Sequence, residues 1–103
     1  MAANISRQRR PSTPGAILRA HYLEPRDISI KAFADAVGVS RKHMSQVVNG
    51  RMRLEASLAA RIAVVLDTTP QFWLNLQNAV DLHDARAELA AWTPETLYPA
   101  AQG

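Results

Sequence analysis

The sequence contains no cysteine. Disulfides, thiolate metal sites and a cysteine nucleophile are thereby excluded, and a reducing compartment suits such a chain. No apolar run approaches the roughly 20 residues of a membrane span. Residues 1 to 15 are basic with no apolar stretch behind them, unlike a secretory signal. The expected location is therefore the cytoplasm, with no membrane contact. Also missing are a phosphate-cradling glycine loop, a nucleophile elbow and an acid–base pair in a pocket-forming context. Neither catalysis nor a cofactor is expected.

What is present fits one domain. A chain of 103 residues buries enough surface to fold without covalent staples. Its net charge of +3 hides an asymmetry: residues 1 to 53 hold ten Lys and Arg against three acids (Glu24, Asp27, Asp35), whereas residues 54 to 103 hold only Arg61 and Arg86 against six. A basic half joined to an acidic half suggests a polyanion partner on one side and a basic protein on the other, or else ordinary surface charge.

Apolar residues recur at helical spacing between Pro14, Pro25, Gly38, Gly50, Pro70 and Pro94, and no strand is predicted. Thr13 reads as an N-cap with Pro14 at the first helical position, and Ile17, Leu18, His21 and Tyr22 form one face until Pro25. Ser29 caps a second helix with Phe33, Ala34 and Val37 inward, ended by Gly38. Ser40 caps a third with Met44, Val47 and Val48 inward, closed by Asn49 and Gly50. A fourth runs from about Glu55 to Leu66, with Leu58, Ile62, Val65 and Leu66 on one side. After a Thr69 cap, the fifth runs from Pro70 to about Ala90 with Phe72, Trp73, Leu76, Val80 and Leu82 as a wide apolar surface. The expected fold is all-α with five helices at residues 13 to 90, preceded by a flexible basic arm at 1 to 12 and followed by an irregular tail at 91 to 103.

The second and third helices have the makings of a helix-turn-helix over about residues 30 to 49. Two short helices at a steep angle need a small residue at their contact, a glycine in the turn and apolar residues that seat the pair on the core. Phe33, Ala34, Val37, Gly38, Val39, Met44 and Val47 meet these demands at fixed spacing. The outward face of the third helix offers Ser40, Arg41, Lys42, His43, Ser45, Gln46 and Asn49, with Arg51 and Arg53 just beyond and no acid. Gln and Asn can bond adenine bidentately, and Arg and Lys can bond guanine. Arg41, Lys42 and Gln46 are the expected base readers, with Ser40, Arg51 and Arg53 on the DNA backbone.

At these residues the chain resembles a known family. Pro14 to Leu18 with Leu23-Glu-Pro25, Val39-Ser-Arg-Lys42 with Val48-Asn-Gly50, and above all Thr69-Pro-Gln-Phe-Trp-Leu-Asn-Leu-Gln77 resemble the HigA-type antitoxins, a branch of the XRE, lambda-repressor-like helix-turn-helix proteins. The resemblance implies a compact five-helix core, a homodimer on a palindromic double-stranded operator, repression of the chain's own operon, and neutralisation of a small basic ribosome-dependent RNase toxin. It also implies that Ser40, Arg41, Lys42, Ser45, Gln46 and Asn49 contact DNA and that Phe72, Trp73 and Leu76 are core. The chain departs from the family pattern at Thr13, a frequent histidine, at His43, where a smaller residue is common, and at Val80, often an aromatic. Members also exist as solitary regulators without a toxin, and an adjacent small basic reading frame is what separates the two readings.

Other features carry open alternatives. His21, His43 and His83 fall on three different helices without a metal-binding spacing; His21 reads as half-buried and His83 as a surface residue. Asp81, Asp84 and Glu88 share a face that serves either a basic toxin or solvent. Trp92 is either a partner contact or simple packing. Arg7, Arg9 and Arg10 either reach DNA as an arm or are disordered.

Overall fold

Four hydroxyl side chains begin four helices, as their places ahead of the periodic stretches predict. The computed structural model describes residues 9–101. In it the Ala16 N–H donates to Thr13 Oγ1 at 3.2 Å, Ala32 N–H to Ser29 Oγ at 3.0 Å, His43 N–H to Ser40 Oγ at 3.0 Å and Phe72 N–H to Thr69 Oγ1 at 3.1 Å. Each bond satisfies one of the backbone donors that a helix start leaves without a partner. The helices are α1 (Pro14–Leu18), α2 (Ile30–Val37), α3 (Arg41–Val48), α4 (Ala56–Leu66) and α5 (Pro70–Leu89), and no strand occurs among the described residues. Part of the expected arm, including Arg7, lies outside the described residues, as do the last two residues of the expected tail.

α1 is shorter than predicted, because the chain continues as a π-helical turn over Arg19–Leu23 and a 3-10 turn over Glu24–Arg26. The Glu24 N–H reaches back five residues to the Arg19 carbonyl. This wider turn shifts the inward face from an α-helical count. Leu18 and Leu23 are buried, Ile17 and Tyr22 pack partly against them, and His21 faces outward rather than being half-buried.

One core joins all five helices. Leu18, Phe33, Met44, Leu54, Ile62 and Trp73 are its largest fully buried side chains. Trp73 donates its indole N–H to Thr68 Oγ1 at 2.7 Å and lies against Tyr22 with ring centroids 5.2 Å apart. α2 packs on α3 and α4, α4 on α5, and α1 on α3 and α5. Gly15 sits where α1 crosses α3, against the backbone of Val47 and Val48. Gly38 takes a left-handed φ of 87°, which a glycine reaches without the clash a Cβ would cause, and so turns the chain from α2 toward α3.

Three side chains expected inside are not. Phe72 is 38% exposed, its ring edge-to-face with that of Trp73 at a centroid distance of 5.0 Å. Val65 is equally exposed, since α4 turns Ala59 and Ala63 inward together with Leu58, Ile62 and Leu66. Leu82 is 44% exposed because no other helix covers the second half of α5: from Asp81 to Ala101 no described residue is buried. Trp92, 60% exposed, does not pack into the core. His83 is partly buried, with Nδ1 3.5 Å from an Asp84 carboxylate oxygen. No helix among the described residues is long and apolar enough to cross a membrane.

Candidate nucleic-acid interface

The surface of interest follows from how α3 is held. Met44, Val47 and Val48 anchor one side of it in the core. The other side then points away from the bundle with Arg41, Lys42 and Asn49 exposed and His43, Ser45 and Gln46 half-buried. Arg61 on α4 donates to the Gly38 carbonyl at 3.2 Å, which ties the turn ahead of α3 to the scaffold. Sequence patterning did not single out that arginine, since the contact spans 23 residues.

The expected contact residues fall into two groups. Arg41, Lys42, Gln46 and Arg51 have no side-chain hydrogen-bond or ion-pair partner among the described residues. They are three cations and one amide, ready to meet a ligand without first breaking a contact. His43 also has no such partner among the described residues, and the remaining four are already engaged. Ser40 accepts the His43 N–H, which leaves its own O–H to donate. Asn49 donates to Ser45 Oγ at 3.2 Å and accepts from Arg19 Nη2 at 2.8 Å. Arg19, which the sequence reading passed over, is thereby brought from the first helical segment to the C-terminal end of α3.

Arg53 is placed differently from Arg51. Its guanidinium bonds Glu55 at 3.1 Å through one nitrogen and Asp81 through the other. Asp81 Oδ1 also accepts from Gln77 Nε2 at 2.9 Å, and Gln77 Oε1 accepts the buried Leu54 N–H at 2.7 Å. Gln77, the one buried polar residue among those described, thus pins the loop after α3 to α5. The Gln77 amide, followed by the Arg53 pair, holds the Asp81 carboxyl below the usual range against partial burial and the charge of Asp84. Asp81, followed by Glu55, raises the Arg53 pKa above its already high value.

The acidic stripe on α5 is neither bare nor simply solvated. Asp81 carries Arg53, and Asp84 takes a two-pronged contact from Arg10 at 3.1 and 3.0 Å. Arg10, expected in a free arm, lies instead on α5. Its two hydrogen bonds, ahead of any charge effect, hold the Asp84 carboxyl below the usual range. No group of three or more metal-ligating side chains occurs among the described residues.

Comparisons with known proteins agree with this geometry. Residues 20–73 match the helix-turn-helix family. The chain is 47% identical over 79 residues to antitoxin HigA-1 of Vibrio cholerae, a match covering 77% of this chain and 74% of that one. It is 49% identical over 74 residues to the uncharacterised helix-turn-helix transcriptional regulator YbaQ of Escherichia coli, over 72% of this chain and just under two thirds, 66%, of that one. A solved structure of antitoxin HigA from Pseudomonas aeruginosa with the higBA promoter superposes with a TM-score of 0.76 at 35% identity, covering 84% of this chain and 100% of that one. The chain belongs to the helix-turn-helix family, in its branch of HigA-type antitoxins.

Proposed function

We propose that this protein is a cytoplasmic DNA-binding antitoxin of a type II toxin–antitoxin module, a binding protein and not an enzyme. As a homodimer it holds a palindromic operator, represses its own operon and neutralises a small basic mRNA-cleaving toxin of the HigB type. The observation that carries the reading is the acid-free outward face of α3, where Arg41, Lys42 and Gln46 stand without partners on a helix anchored from behind. Support comes from the Pseudomonas aeruginosa relative, whose solved structure includes a promoter.

In this reading Arg41, Lys42, His43, Ser45, Gln46 and Asn49 face base edges. Ser40, Arg51 and Arg53 meet the backbone, Arg53 only after leaving its two carboxylates. Residues 13 to 90 form the functional unit. The arm at 1 to 12 and the tail at 91 to 103 are accessories.

Band-shift titration against the chain's own upstream region tests the DNA half. Co-purification with the product of the neighbouring gene tests the toxin half. A chain that binds its operator but no neighbouring protein is a stand-alone regulator. That second reading is favoured by the Escherichia coli relative, which is named for transcriptional regulation alone.

A further inference from the structure

The loop between α3 and α4 carries two arginines, two residues apart, in opposite situations. Arg51 is exposed with no side-chain partner among the described residues, whereas each Nη of Arg53 is held by a different carboxylate. Arg53 nonetheless lies on the face that would meet DNA: with His43 of α3 and with Ser57 at the start of α4, it lines one hollow of about 230 Å³. A duplex engaged by α3 would run a phosphate past this hollow.

The restraint is built rather than incidental. Asp81 has its first oxygen fixed by the Gln77 amide, and Gln77 is itself 6% exposed and bonded to the Leu54 N–H. The residue next to Arg53 is thus clamped to the same helix that presents the carboxylate. Chain entropy offers Arg53 little reason to leave. The pair is exposed to solvent on both sides, so it is weak enough for a closely seated phosphate to replace it. A loosely seated duplex, held only by long-range attraction, does not bring a phosphate near enough to compete.

We propose that Asp81, aided by Glu55, is a restraint on Arg53: it withholds Arg53 from non-operator DNA and releases it to a phosphate only when the α3 face is fully docked on the operator. This deepens the DNA-binding reading and rests on it. Arg51 supplies the sequence-blind attraction, and Arg53 adds a contact conditional on correct docking.

The test compares the full chain with Asp81→Asn, Arg53→Gln and the double variant. Each is titrated with its operator and with a random duplex of equal length over a range of salt. Asparagine keeps the oxygen that Gln77 bonds, and a thermal melt verifies the fold. For D81N, affinity should rise on both duplexes, roughly 5- to 10-fold on the random one at low salt and at least as much on the operator, whose binding no longer has to break the pair, while only the random-duplex salt slope steepens, by about 0.9 per protomer. R53Q should lower operator affinity and its slope by about that same 0.9 while leaving the random duplex unchanged, and D81N should have no effect in the R53Q background. An operator salt slope that steepens as much as the random-duplex one, no gain on either duplex, a gain that survives R53Q, or an R53Q loss shared by both duplexes would each overturn the proposal. If D81N melts early, the R53Q comparison decides alone. A wild-type chain that does not bind its operator refutes the underlying reading instead.

Discussion

Gly15 faces the carbonyl oxygen of Val47 so closely that a methyl group placed on it would lie 1.9 Å from that oxygen. The first helix therefore rests backbone to backbone on the last turn of the helix proposed to enter DNA, with no side chain between them. The orientation of α3 depends on that crossing as much as on its own buried face.

Gly15→Ala should accordingly be among the most damaging single-methyl changes in the protein. Overpacking of this kind costs about 1–3 kcal/mol or more, and each kcal/mol is worth roughly 4–8 °C in a domain of this size. Operator affinity should fall too, because the methyl can be accommodated only by moving α1 off α3. A thermal melt within about 1 °C of the wild type would show that the helices separate at little cost.

Gln77→Ala removes the acceptor of the buried Leu54 N–H and the donor to Asp81 together. An unsatisfied buried amide costs about 1–3 kcal/mol, and denaturant titration should find a loss in that range. Amide exchange gives a local readout: protection at Leu54 should drop further than protection at Phe33 or Ile62 in the core. Equal loss at all three sites would mean that the loop opens only with the whole domain.

Base reading and backbone holding should separate by mutation. Gln46→Ala should relax preference at one or two operator positions. Arg51→Ala should weaken every duplex alike and lower the salt slope by about 1. For the wild-type dimer, about 6–10 phosphate contacts predict a loss of about 10³–10⁵ in affinity between roughly 50 and 200 mM salt. A Q46A protein that ranks all operator variants as the wild type does would remove Gln46 from the readers.

Acid should weaken the fold through Asp81 and Asp84. Gln77 and then Arg53 hold the first below the usual carboxylate range, and Arg10 the second. A carboxyl whose folded pKa lies below its unfolded value of about 3.9 binds fewer protons when folded. Its contribution is complete above that value and is lost as pH falls through the folded pKa. These pairs should thus contribute in full, and give the melting temperature no pH dependence, between about pH 5 and 8, and the melting temperature should fall below about pH 4. Asp84→Asn should flatten that fall, and an identical acid profile in the variant would show that the Arg10 pair adds no stability.

Much of the fold was legible before any coordinates. Thr13, Ser29, Ser40 and Thr69 act as caps, as their positions predict, and Gly38 turns between α2 and α3 with its left-handed φ. Where the reading erred, a regular count failed. The π turn at Arg19–Leu23 put Leu23 inside in place of His21. On α5 an apolar pattern was taken as buried to Leu82, although periodicity says which face is apolar and not how far a neighbouring helix extends to cover it.

Caps, helical periods and the turn between α2 and α3 act within a few residues, so spacing along the chain settles them: five helices, a helix-turn-helix, and a basic outward face on α3. Which cations on that face are free was beyond such a reading. Arg53 meets Asp81 across 28 residues, Arg19 meets Asn49 across 30, and Arg10 meets Asp84 across 74. Charges so far apart in sequence become partners only once apolar packing has set the helices side by side. A side chain's formal charge is a property of the chain, whereas its availability to a ligand is a property of the folded assembly of helices.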